Sequence, residues 1–179
     1  SATGSPKLAI LSAAMLGARA QLSREPPDTQ AALDAYGPLV KGTEDPSLLL
    51  EYAYALGVAG LEDAALSTGD RACAAGASLA PAGYVAGQIL MANGEEELGR
   101  ELISTHAGGA PDWLLTIVAG QRPRPPPLPQ AIVAPPGGMV ERFKRANELS
   151  VAGRHFEALG AFRRVAALAS EDHAPRMGY

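Results

Sequence analysis

Apolar residues recur along this chain three and four positions apart rather than at every second position, and Gly, Pro and short polar clusters separate the periodic stretches. That pattern predicts helices near 6–22, 28–41, 47–58, 62–75, 82–92, 95–106, 112–120, 138–152 and 155–169, and no sheet. The residues between the helices carry turn chemistry. Gly60 closes Ala-Tyr-Ala-Leu-Gly-Val-Ala-Gly and is followed by Leu-Glu-Asp-Ala-Ala, while Gly94 closes Gly-Gln-Ile-Leu-Met-Ala-Asn-Gly and is followed by Glu-Glu-Glu-Leu-Gly, 34 residues later. Gly153 closes Ala-Asn-Glu-Leu-Ser-Val-Ala-Gly in the same way. A Gly placed there ends a helix in the left-handed conformation, and acidic residues after it favour the positive end of the next helix dipole.

Proline punctuates the same pattern. Pro46 precedes the predicted helix Leu48–Val58, Pro81 the helix Gly83–Ala92, and Pro111 the start Asp112-Trp113-Leu114-Leu115. A helix leaves its first N–H groups unpaired in any case, so Pro is tolerated there. Residues 121–137 are too rich in Pro for a helix and read in part as a stiff polyproline II spacer. They stretch the interval from Gly94 to Gly153 to 59 residues, 25 more than one period of 34. Arg-Pro-Arg-Pro-Pro-Pro-Leu-Pro also has the look of a ligand for polyproline-binding domains, and the spacer reading is preferred.

The 34-residue interval and its turns resemble the tetratricopeptide repeat family, here of bacterial type. The segment 143–170 carries the resemblance best, with Ala146, Leu149, Gly153, Ala158 and Phe162 at the family's packing positions. Ala53, Leu56, Gly60, Ala65 and Ala72 match in 47–77, and Gly87, Leu90, Gly94, Gly99, Ile103 and Pro111 in 82–111. A first unit, 6–43, is degenerate: Ala32, Tyr36 and Leu39 place its second helix, and Pro26-Pro27 lengthen the turn before it.

The resemblance implies an all-α fold of antiparallel helix-turn-helix repeats stacked into a right-handed superhelix. Three hairpins and a short helix would occupy 1–121, the Pro-rich linker 122–137, and a fourth hairpin 138–179. Ala53, Gly87 and Ala146 would be the points of closest approach within a pair. First helices would line a concave groove, with Leu50, Tyr54, Tyr84, Gln88, Met91, Phe143, Asn147 and Val151 turned toward it. Aromatic, Met and amide groups there suit a peptide segment or helix of a partner protein. Leu50, Tyr84 and Phe143 stand where family members that hold a C-terminal carboxylate carry a basic residue, so no carboxylate clamp and no chaperone-tail binding are expected. The expected role is a non-catalytic scaffold with no cofactor. The alternatives are a self-associating structural module and the repeat region of a larger enzyme.

Composition changes this picture in few places. Aromatics are 5% of the chain, and the apolar share leans on Ala and Leu, which suits closely packed helices and argues against a large sheet. Net charge is −4, with 6 basic and 14 acidic side chains in 1–120 and 9 basic and 5 acidic in 121–179. Such a balance gives no reason to expect nucleic acid, and the basic C-terminal part could meet an acidic partner or a second copy. His106, His155 and His173 lie far apart with no neighbouring Cys, so no zinc-ligand spacing exists. No nucleophile elbow or phosphate-cradling loop occurs, and an enzyme is not expected. Cys73 stands alone among Ala and Gly and reads as a small buried apolar group. No apolar run is long enough for a membrane span. The chain opens at Ser1 without a Met, as a trimmed or mature chain would. That leaves the compartment open between the cytoplasm, slightly favoured, and a periplasmic or secreted site. The run 175–179 reads as the start of a further helix.

Overall fold

Side-chain caps and glycine stops set the helix limits. The computed structural model describes the backbone of residues 6–119 and 138–172 and the side chains of 10–119 and 138–166, and no strand occurs among them. The Pro-rich segment and the run 175–179 lie outside the described residues. The helices are α1 (Pro6–Leu22), α2 (Thr29–Val40), α3 (Pro46–Val58), α4 (Glu62–Ala74), α5 (Leu79–Ala92), α6 (Glu96–Thr105), α7 (Asp112–Ala119), α8 (Met139–Val151) and α9 (His155–Asp172), with a 3-10 turn at Ala107–Gly109. At the start of α2 the Asp28 carboxylate accepts from the Ala31 N–H. At the start of α3 the Asp45 carboxylate accepts from the N–H groups of Ser47 and Leu48 at 2.9 and 3.1 Å. Each cap satisfies donors that the first helical turn leaves unpaired.

The α3, α4, α5 and α8 helices end alike. In α3 the Gly60 N–H donates to the Gly57 carbonyl and the Leu61 N–H to the Leu56 carbonyl, at 3.1 and 2.9 Å. The same pair of bonds recurs at Gly76 and Ala77, at Gly94 and Glu95, and at Gly153 and Arg154. Gly60, Gly94 and Gly153 have φ of 80°, 89° and 78°, where a Cβ would crowd the carbonyl that follows. Two expectations need correction. Pro46 does not precede its helix but is the first residue of α3. Pro81 does not precede its helix but is the third residue of α5, which starts at Leu79. Nothing is lost by this, because an N–H in the first turn has no helical acceptor.

Consecutive helices joined by short turns pack on each other. Within the first compact unit, Ser1–Leu128, α3 is the hub and meets α2, α4 and α5. It is apolar nearly all round, and Leu48, Leu49, Leu50, Ala53, Tyr54, Ala55 and Leu56 are buried. A helix of that kind belongs in a core, where each large side chain taken from water contributes roughly 1.5–3 kcal/mol. The α5 and α6 backbones approach closely where they cross. A Cβ built on Gly87 would stand 2.8 Å from the Gly99 carbonyl oxygen, and one on Gly99 would stand 2.8 Å from the Gly87 oxygen. Between α3 and α5, the Asn93 side-chain amide donates to the Gly57 carbonyl at 3.1 Å and to the Ile89 carbonyl at 2.8 Å.

The second unit, Pro129–Tyr179, contains α8 and α9 packed on each other. Ala146, Phe156 and Ala158 are buried between them. The rings of Phe143 and Phe162 meet edge to face, 5.6 Å between centroids.

Candidate binding surface

A charge sits in the middle of the most apolar helix. Glu51 follows Leu48-Leu49-Leu50 on α3 and is fully buried. Burying a lone carboxylate is prohibitive, so the chain supplies partners. Arg19 of α1 donates to it twice, from Nε at 3.0 Å and from an Nη at 2.5 Å, in the forked geometry that suits a carboxylate. The Tyr36 hydroxyl of α2 donates to the same carboxylate at 2.8 Å. Burial, reinforced by the Glu51 charge, pushes the Tyr36 phenol above its ordinary range, and the hydrogen bond to Glu51 raises Arg19. This network ties α1, α2 and α3 together at one point.

Across α1 and α3 lies α7. It packs against α1, and the Trp113 ring meets the ring of Tyr54 on α3 edge-on, with centroids 5.9 Å apart. Leu114 and Ile117 of α7 are fully buried, Trp113 is half-buried, and Leu115 and Thr116 face solvent. The underlying surface therefore takes one side of a short amphipathic helix, presented as Trp-Leu-x-x-Ile. The chain returns on itself here: a helix that follows α6 in sequence is laid on the first helix of the unit.

The residues read from the sequence as groove-facing are distributed over both units. Leu50, Tyr54 and Tyr84 are buried inside the first unit, and Tyr54 is covered by Trp113. Gln88 and Met91, also on the first unit, are half-buried. Phe143, Asn147 and Val151 are exposed on α8 of the second unit. Tyr54 is the one whose ring packs on the returning helix.

Sequence reasoning missed the Arg19–Glu51–Tyr36 network and the return of α7. Each had a signal. One Glu inside Leu-Leu-Leu-Glu-Tyr-Ala-Tyr-Ala-Leu must be paired if that helix is buried all round. The stretch Asp-Trp-Leu-Leu-Thr-Ile-Val-Ala carries the only Trp and is too apolar for an eight-residue surface helix.

An open cleft of about 830 Å³ between α2, Tyr52 and Arg71 is rimmed by Asp34, Lys41 and Arg71, without a nucleophile poised beside a base. Cys73 is half-buried, and burial, followed by the nearby Asp70 charge, raises its thiol pKa above the ordinary value. Among the described residues no cluster of His, Cys, Asp and Glu is placed to hold a metal ion. No described helix is long and apolar enough to cross a membrane. Compared with protein-family models, with curated proteins and with solved structures, the chain matches none.

Proposed function

We propose that this chain is a tetratricopeptide-type repeat protein, its hairpins stacked into a right-handed superhelix. It acts as a non-catalytic scaffold that holds an amphipathic helix of a partner protein on the face formed by its first helices. One observation carries this reading: α7 lies on α1 with Trp113 against Tyr54, and with Leu114 and Ile117 fully buried. A surface that accepts one short helix through an aromatic anchor and two aliphatic side chains has the shape and chemistry to accept another of the same pattern. The recurrent glycine stops, 34 residues apart at Gly60 and Gly94, support the repeat reading. The Arg19–Glu51–Tyr36 network supports the binding reading, because it holds α1 and α3 in fixed relation beneath the helix that they carry.

On this reading α7 is the resident occupant, and a partner helix competes with it. The test uses the full chain with Trp113→Ser, Leu114→Ser and Ile117→Ser, so that α7 no longer holds the face. A synthetic peptide of residues 110–120 is titrated against it, with a scrambled peptide as control. The native peptide should bind saturably and the scrambled one should not. Should the substituted protein keep its helical circular dichroism and still ignore the native peptide, the reading fails.

A further inference from the structure

The second unit leaves an apolar face uncovered. Val140, Phe143, Asn147 and Val151 follow the spacing of three, four and four that keeps side chains on one side of a helix. All are exposed: Val140 to 81%, Phe143 to 51% and Val151 to 91%. Phe143 extends the face toward α9 through its ring contact with Phe162. Among the described residues of the hairpin, the buried hydrophobic side chains are Ala146, Phe156 and Ala158. Two helices alone bury little apolar surface, so a further contact adds to the stability of such a hairpin. A contiguous apolar patch rimmed by charges is the usual mark of a protein interface.

We propose that this face of α8 is a self-association surface, and that its occupant is the same face of α8 in a second copy, running antiparallel. The charges on α8 select both the partner and the direction. Arg142, Lys144 and Arg145 stand in the first half of the helix, against Glu141, and Glu148 stands in the second half. Lys144 and Glu148 are exposed neighbours on the rim of the apolar face, 4.0 Å apart. An antiparallel pair centred between residues 145 and 146 sets Val140 opposite Val151 of the other copy. It also sets Lys144 beside Asn147 and Glu148 of that copy. Two lysines and two glutamates then alternate around the two-fold axis, and a polar Asn beside that axis fixes the register. A parallel pair would stack Lys144 on Lys144 and is disfavoured. Two hairpins joined in this way make a four-helix bundle, whose core is larger than one hairpin can supply. This inference does not depend on the binding of a helix at α1 and α3, which lie in the first unit.

The test is sedimentation equilibrium of the full chain over a concentration series. The native protein should show a monomer–dimer equilibrium. Val140→Asp and Val151→Asp alter only solvent-exposed positions of the hairpin, so helical circular dichroism should be retained. Each should weaken the dimer by about a hundredfold or more, because the contact would bury a carboxylate. Lys144→Glu should weaken it by about tenfold, and adding Glu148→Lys should restore it, because the swap keeps opposite charges facing. Direction is read separately. Val140→Cys protein mixed with Val151→Cys protein should form a disulfide linking 140 to 151, identified by mass spectrometry in preference to 140–140 and 151–151 links. A native chain that stays monomeric, a dimer indifferent to both aspartates, or a dimer cross-linked through 140–140 would each overturn the proposal.

Discussion

Trp113 of α7 stands edge-on to Tyr54 of α3, 5.9 Å between ring centres, although the two are far apart in sequence. This contact marks where the chain folds back across its own first helices, and it can be followed directly. Trp113 is the only tryptophan, so its emission reports this contact without interference. Tyr54→Ala should shift the emission to longer wavelength and lower stability by about 2–4 kcal/mol, through the lost aromatic volume. Tyr54→Phe should leave both nearly unchanged. An unshifted spectrum in the alanine variant would place Trp113 elsewhere.

The Arg19–Glu51 pair predicts an asymmetry between breaking and replacing. Arg19→Met leaves the Glu51 carboxylate buried with only Tyr36 as partner and should cost about 3–5 kcal/mol in chemical denaturation. The double change Arg19→Met with Glu51→Leu removes both charges and should recover most of that loss. A double variant no better than the single one would show that the network contributes favourably in itself.

Alkaline pH tests the third member. The Tyr36 phenol is raised above its ordinary value, so the folded chain keeps this proton after an unfolded tyrosine, of pKa about 10, has lost it. Its contribution is therefore full below pH ~10 and falls as pH rises through and above that value. Tyr36→Phe should cost about 1 kcal/mol at neutral pH. It should also make stability fall less steeply above pH ~10 than in the native chain. Parallel curves for the two proteins would exclude the buried hydrogen bond.

Glycines with different surroundings should respond with opposite signs. Gly87→Ala sets a Cβ 2.8 Å from the Gly99 carbonyl oxygen and from Ile103, so it should overpack the α5–α6 crossing by about 1–3 kcal/mol. Gly17 lies within α1, is exposed and has nothing within 4 Å, so Gly17→Ala should stabilise by about 0.5–1 kcal/mol. Thermal unfolding of the two variants checks both signs.

A glycine stop tests the turn argument. Gly60 has φ of 80° and nothing within 4 Å of where its Cβ would stand, so the cost of Gly60→Ala is conformational alone. About 1–2 kcal/mol is expected. Loss of less than a few tenths would mean that the turn relaxes without the left-handed residue.

Hydrophobic spacing, proline and glycine were sufficient to read the helices of this chain from its sequence. Each of the nine helices read from it has a counterpart in the structure, with limits that differ by three residues or fewer. Those signals are local: a Gly that must turn left-handed, an Asp that caps the next turn and an apolar stripe all act within a few residues. The two compact units meet at Leu128 and Pro129. What the sequence left open was which surface each helix covers. Leu50, Tyr54 and Tyr84 have the spacing of a groove-facing row, yet they are buried. A periodic pattern locates an apolar face without naming what lies on it, and only the packing of α7 onto α1 puts Trp113 over Tyr54. Glu51 likewise reads as an anomaly in an apolar run until α1 and α2 bring Arg19 and Tyr36 to it from 32 and 15 residues away. Contacts of that separation depend on how helices pack, and packing responds to volume and burial over the whole unit.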